Sequence, residues 1–471
     1  MKMPAFPTLS DEEMARRLQP PDGPVRMVFD TDCRNEIDDQ FALAWALLSE
    51  NEIHVEACYA EPYSHECYRK SLAKAYEMIS SSNEIHATDD KSKDNHIRFE
   101  TDDGPRSQRL ENWARVLHSQ GIHPQDLEID GPEIGMEKSY DEILHIYQLL
   151  DKSAEGKAFR GADRYLASYD DPVISASVED LIQRAKGYKD EPLYVAAIGC
   201  VTNIASALLI APEIIKNIVV LWTAAYPTSV PYPNSSFNLD QDILAAQLLF
   251  DSGVPHVYLP GYHVGAQLTL SKPDMEAWIR DKGKLGDYLF GEYMVWYKIR
   301  QESATSNSNK GENTHPDMRG YTKVIWDLIN VAWLMSPSWV PTELLRAPIF
   351  GNDARWHHSP GQRHWMREAY AIDRDAIFLD LIQKFETPIV AEIEEVLAAE
   401  QFKKLQELAY ATAATEDEAA AKEEAEASAA AEAEAVAKAE AEAAAIPDTT
   451  KPIISPPEGV VVEATGSLTP V

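Results

Sequence analysis

The sequence predicts an α/β fold with a mostly parallel central sheet and flanking helices, and three observations carry that prediction. From Val25 to about Glu386 short apolar runs alternate with longer helical patterns, the signature of successive βαβ units. The short runs, "VRMVF", "HVEACYA", "LYVAAI", "NIVVLWTAA" and "PHVYLPG", read as buried strands. The stretches between and after them, "DDQFALAWALLSE", "CYRKSLAKAYEMI", "TNIASALLI" and "DILAAQLLFDSG", read as helices by length and apolar periodicity. Loops at the strand ends are then the place for chemistry.

In chain order, residues 1–24 form an N-terminal extension and residues 25–400 the main domain. Within it, His86 to about Tyr169 is polar and irregular, with one helix expected at "YDEILHIYQLLDK", and reads as a lid or insertion. After Leu270 the chain is expected to be mainly helical, interrupted by the polar loop "QESATSNSNKGENTHPDMRG". Residues 401–446 are an Ala/Glu-rich stretch in which, from Thr415 to Ala445, ten acids face only Lys422 and Lys438. Such a composition forms helix but cannot build a core, so a solvated spacer helix is expected. Residues 447–471, "PDTTKPIISPPEGVVVEATGSLTPV", switch to Pro, Thr and β-branched residues, a short β-type tail. It resembles the start of a hyalin-repeat, immunoglobulin-like module, too short to close a sandwich.

At 471 residues the chain can bury a substantial core, and no apolar run approaches the roughly 18 residues that span a bilayer. The start, "MKMPAFPTLSDEEMARRLQPP", lacks an apolar signal core, so the cytoplasm is the expected compartment, although a hyalin-like tail would suit an extracellular protein. A formal net charge of -34 argues against nucleic acid as partner and favours a divalent cation. The cysteines Cys33, Cys58, Cys67 and Cys200 have no CxxC spacing and read as buried thiols.

The chemistry concentrates in "VRMVFDTDCRNEIDDQFALAWALL", where Asp30, Asp32, Asp38 and Asp39 crowd between a buried strand and an apolar helix. Haloacid dehalogenase-like phosphatases also present Asp-x-Asp at a strand end, but follow it with Thr or Val where this chain has Arg34. An EF-hand loop fails too, because Arg34, Asn35 and Phe41 fall where an oxygen ligand, Gly and Glu are needed. Four acids gathered at a strand end and a helix start suit a hard cation such as Ca²⁺ or Mg²⁺, and the helix N-terminus softens their repulsion. Solvated capping acids are the bland alternative, which the flanking buried elements make costly.

The loop with "NEIDDQFALAWALL" behind it resembles that of the inosine/uridine-preferring, metal-dependent nucleoside hydrolases, as a divergent member. "VAAIGCVTNIASALLIAPEIIKNIVVLW", "SSFNLDQDILAAQLLFDSGVPHVYLPGYHV" and "VIWDLINVAWLMSP" are similar to that family's later segments, in its order, over about residues 25 to 385. The resemblance implies that Asp32, both oxygens of Asp39, Asp327 and the Ile198 carbonyl bind Ca²⁺. It also implies that Asp38 holds a ribose hydroxyl, Asn238 contacts the 5′ side of the sugar, and Asp30 supports the loop. A metal-activated water would be the nucleophile and Asp32 its base, with a nucleoside or related N-riboside as substrate. Family members are often dimers or tetramers, so a homo-oligomer is in keeping with the resemblance.

The chain departs from that pattern at defined places. Cys33 to Ile37 is longer than the family's turn, and Asn35 either caps the following helix or points into the pocket. Ser236 stands where the family has a ribose-binding Glu, with Asn234 or Glu61 as substitute contacts. Trp326 replaces a His that can protonate the leaving group; it either stacks on a base or is a core aromatic. His315 and Tyr321 are the other candidates for base contact or protonation. Two further readings stand beside the calcium-dependent hydrolase: a metal-containing ribose- or nucleoside-like ligand-binding protein that has lost turnover, and a tethering protein built around the Ala/Glu stretch and tail.

Overall fold

A computed structural model describes residues 4–86, 105–188, 190–306, 320–359, 361 and 363–386, with 400, 401, 403, 404, 433 and 435 near the C-terminus. The chain divides into two compact units, residues 1–389 and 390–471. The Ala/Glu stretch, the hyalin-like tail and His315 lie outside the described residues, apart from those few C-terminal positions. Among the described residues no helix is long and apolar enough to cross a membrane.

The first unit is built on eight strands: β1 (Val25–Thr31), β2 (Ile53–Ala60), β3 (Ala158–Arg160), β4 (Leu193–Ala197), β5 (Ile218–Ala224), β6 (His256–Pro260), β9 (Thr342–Arg346) and β12 (Trp365–Ala369). Their order is β3-β2-β1-β4-β5-β6-β12-β9, parallel throughout except for β9, which runs antiparallel to β12. Four small strands pair off the sheet: β7 (Thr269–Ser271) with β8 (Thr322–Val324), and β10 (Ile349–Phe350) with β11 (Trp356–His357). The predicted strands all form, and β4 and β5 are buried at every position, as expected for a parallel sheet covered on both faces. Alternation along β1 splits its side chains between the two faces: Met27 and Phe29 join one core, Val28 the other.

The first core is covered by α2 (Asp38–Leu48), α5 (Pro132–Leu149) and α12 (Leu328–Met335), the second by α6 (Ala176–Gly187), α7 (Thr202–Ile210) and α9 (Ile243–Ser252). Around them lie α1 (Asp11–Arg17), α3 (Glu66–His86), α4 (Pro105–Gln120), α8 (Phe237–Gln241), α10 (Lys272–Trp278), α11 (Gly283–Ser306) and a helical stretch over 374–386.

Two expectations are corrected. The segment after His86 is not irregular with one helix: it contributes α4, a longer α5 and the edge strand β3. Leu110, Ala114 and Leu117 of α4 pack on Leu72, Ala75 and Ile79 of α3 in a small separate core. That stripe is narrow amid charged residues, which hid it. The chain after Leu270 is also less helical than read, since β9 and β12 complete the main sheet. β9, "TELLR", is an exposed edge strand and β12, "WMREA", lies between it and β6, and neither has the apolar run that betrays a buried strand.

The strand order locates the site. From β1 the chain goes outward to β2 on one side, whereas β4, β5 and β6 lie on the other, so the topology reverses between β1 and β4. A crevice opens there at the carboxyl ends of the strands. Asp30, Thr31 and Asp32 sit at the end of β1 and Ile198 just past β4.

Candidate metal and ligand site

A cavity of about 620 Å³, counting its mouth, opens at this crevice, with Asp32, Asp38, Asp39, Asp327 and Ile198 among its lining residues. Asp38 and Asp39 occupy the first turn of α2, and Asp327 directly precedes α12, so three carboxylates reach the cavity from helix starts. Oxygens of Asp38, Asp39 and Asp327 lie within 4.8 Å of one another, and all three residues are buried. Asp32 Oδ2 and Asp38 Oδ1 are buried without a hydrogen-bond partner. Burial pushes Asp32, Asp39 and Asp327 well above the usual carboxylate range, and the neighbouring acids push them further; Asp38 rises to about 6, chiefly by burial. Such a group needs protons or a cation. The oxygen-only donor set fits a hard divalent ion.

The arrangement differs in detail from the ligand set that the resemblance implied. The close triplet contains Asp38, which had been given to the sugar, and does not include Asp32. Asp39 does not turn both oxygens to the cavity freely, because Oδ1 accepts from the Thr31 hydroxyl at 2.5 Å. The Ile198 carbonyl accepts from Asn238 Nδ2 at 2.7 Å, which leaves one of its two lone pairs.

Supporting side chains hold the acids in place. Asp30 is fully buried and accepts from Asn203 Nδ2 at 2.8 Å; burial raises it to about 7. Gly199 is required by space, since a Cβ there would collide with the Glu61 carboxylate and the Asp32 side chain. Asn330 of α12 donates to the carbonyls of Ala197 at 3.1 Å and Leu221 at 3.2 Å, tying α12, and with it Asp327, to β4 and β5. Lys323 on β8, only 7% exposed, is ion-paired with Glu36 and lies 3.8 Å from Asp38 Oδ1.

The substrate-side expectations divide. Asn35, Asn238 and Trp326 line the cavity. Asn35 does not cap α2, whose N-cap is Ile37 with no side-chain bond. Asn238 spends both amide hydrogens on the carbonyls of Ile198 and Thr223, so its Oδ1 is what it can offer a ligand. Trp326 meets Tyr262 edge-on, ring centroids 5.5 Å apart. Ser236 caps α8 through Leu239 N–H and brings no carboxylate. Asn234 is not a lining residue: it is buried, and its Oδ1 accepts from Tyr226 N–H at 3.1 Å as a brace for the loop after β5. Glu61 is also off the cavity wall, wholly buried, with neither oxygen meeting a donor. Tyr321 packs on Tyr293 and Tyr297 instead of lining the cavity. Sequence reasoning missed Tyr68, Phe237 and Tyr262 as lining residues and Lys323 as the buried cation beneath. Phe237 could have been found from its place beside Asn238; the others carry no local signal.

Fold and site together define an α/β protein with a carboxylate-lined crevice at the topological switch of a parallel sheet. Residues 27–378 match the model of the inosine-uridine preferring nucleoside hydrolases, and the chain belongs to that family. It is 31% identical over 129 residues to "Probable uridine nucleosidase 2" of Arabidopsis thaliana, covering 27% of this chain and 39% of that protein. It is 34% identical over 107 residues to the pyrimidine-specific ribonucleoside hydrolase RihB of Escherichia coli, covering 22% of this chain and 34% of that protein. The chain thus spans well under half the length of these curated relatives. Among solved structures, the purine-preferring ribonucleoside hydrolase from Gardnerella vaginalis is similar at 18% identity and a TM-score of 0.49, over 77% of this chain and 98% of that one.

Proposed function

We propose that the protein is a calcium-dependent hydrolase that cleaves the N-glycosidic bond of a ribonucleoside or related N-riboside. The single observation that carries this reading is the convergence of Asp38, Asp39 and Asp327, within the matched family region, beside buried oxygens of Asp32 and Asp38 that accept no hydrogen bond. Asp39, Asp327, the Ile198 carbonyl and either Asp32 or Asp38 would hold the ion. When bound, a hard divalent ion supplies Lewis acidity toward a water and toward ribose hydroxyls. Asp32 accepts the proton of the attacking water as its oxygen bonds to C1′, and the C1′–N bond breaks with its electron pair passing to the nitrogen of the departing base. The surrounding carboxylates stabilise the oxocarbenium character of the sugar, Asp38 accepts from a ribose hydroxyl, and Asn238 Oδ1 accepts from the 5′ side. Purified protein with Ca²⁺ should turn over at least one member of a nucleoside panel, Asp32→Ala should lower kcat at least 100-fold, and chelation should abolish the activity. Absence of metal-dependent turnover on every member sinks the reading.

A second reading, a binding protein without turnover, draws on one specific observation. The Ser236 hydroxyl is used as a helix cap, so nothing at that position holds the sugar as a carboxylate would. Calorimetric nucleoside binding in Ca²⁺ without hydrolysis would favour it.

A further inference from the structure

We propose, on the basis of the hydrolase reading, that this cavity prefers N-ribosides whose base carries a fixed positive charge, pyridinium-type nucleosides in which the sugar quaternises the ring nitrogen. The first ground is charge. Five carboxylates line the cavity, those of Asp32, Glu36, Asp38, Asp39 and Asp327, and among the described lining residues there is no Lys, Arg or His. A divalent ion offsets two of the five and Lys323, ion-paired with Glu36 behind the wall, a third. The wall then presents oxygen acceptors and no cationic side chain toward a ligand. Asp32 Oδ2 and Asp38 Oδ1, buried and accepting no hydrogen bond, are part of that wall.

The second ground is the aromatic surface. Tyr68, Phe237, Tyr262 and Trp326 share the cavity with the acids, and Tyr262 stands edge-on to Trp326 at 82°. Aromatic faces beside carboxylates attract a flat cation far better than a flat neutral ring, and indole is the best of them.

The third ground is the leaving group. A neutral base departs with the electron pair of the C1′–N bond and needs a proton, best given by an acid titrating near neutrality. Here the described lining offers an indole, which is no acid, phenols that ordinarily titrate near ~10, and carboxylates already engaged by the ion, the sugar or Lys323. A quaternised base needs no proton. The C1′–N pair returns to the ring nitrogen and cancels its charge, water oxygen bonds to C1′, and the water proton goes to Asp32. The base leaves as a neutral molecule, and atoms and charge balance without a general acid.

The test uses the full chain in Ca²⁺ with two comparisons. Nicotinamide riboside, cationic, is compared with uridine, neutral, as substrates; 1-methylnicotinamide, cationic, is compared with nicotinamide, neutral, as ligands by calorimetry, which is blind to bond lability. The expected result is a kcat/KM at least tenfold higher for nicotinamide riboside and binding about tenfold tighter for 1-methylnicotinamide. In Glu36→Gln and in Trp326→Leu the binding ratio should fall at least threefold. Equal binding of the two nicotinamides overturns the proposal, as does uridine turnover matching that of nicotinamide riboside. If neither nucleoside is hydrolysed, the calorimetric ratio alone decides the preference for a cation, and the full nucleoside panel decides the hydrolase reading separately.

Discussion

Glu61 shows what a single residue contributes below the site. Its carboxyl is wholly buried, faces Asp30, and meets no N–H or O–H donor, so burial drives its pKa well above the ordinary value. The folded state therefore holds a proton there that the unfolded chain releases above its ordinary 4.5. A group raised on folding stabilises fully below its unfolded pKa and loses that contribution as pH rises toward the folded value. Gln at this position would supply a permanent donor to Asp30 Oδ2 with no proton to retain. Glu61→Gln should raise urea stability at pH 8 by about 1 kcal/mol more than at pH 5. An equal change at both pH values would show that no proton is trapped between the two acids.

At the scale of an element, the longer "CRNEI" turn is held by neighbours as much as by its own geometry. Arg34 sits at φ +90°, a region where side chains are strained. Its guanidinium lies 3.1 Å from both the Tyr288 hydroxyl and Glu292, which fixes the turn to α11, while Glu36 is fixed to β8 through Lys323. Removing the side chain loses a partly exposed ion pair of up to ~1 kcal/mol, whereas Gly also relieves roughly 1–2 kcal/mol of backbone strain. Arg34→Gly should therefore melt about 1–2 °C above Arg34→Ala, the reverse of the usual order; a thermal scan of the two variants decides it. This turn also marks the limit of what could be read from sequence. The parallel sheet and the acidic loop were legible because each rests on a local pattern, a buried run or carboxylates at element ends, whereas the distant Asp327 came only from the resemblance of "VIWDLINVAWLMSP" to a family segment. The ion pairs that pin the turn join residues separated by some 250 or more positions, and the last two strands of the sheet, β9 and β12, are too polar to announce themselves. Ser236 illustrates a third case: its identity was plain, but its use as a cap depended on where α8 begins.

On the scale of the whole molecule, the switch between β1 and β4 gathers acids that a cation-free fold can tolerate only as partly protonated groups. Asp30 at about 7 and Asp38 at about 6 titrate above the ordinary 3.8, and Asp32, Asp39, Asp327 and Glu61 are raised further by burial and one another. All bind protons more tightly in the folded state, so each costs stability as pH rises from its unfolded toward its folded value. Two buried histidines oppose this: His256, lowered to about 3, and His364, lowered to about 4, stay neutral in the fold and gain stability as pH rises toward 6.5. Above 6.5 that opposition is spent and the carboxylates act alone. In chelator the melting temperature should therefore fall between pH 6.5 and 8. A divalent ion binds deprotonated carboxylates and competes with those same protons, so its stabilisation should grow over this range. Ca²⁺ at 100 times its Kd should add about 2.7 kcal/mol. Calorimetric scans at pH 6.5 and 8, with Ca²⁺ and with chelator, check both signs. A melting temperature that ignores Ca²⁺ at pH 8 would mean that the crevice holds its acids by protonation alone, and the metal would have to be abandoned together with the chemistry built on it.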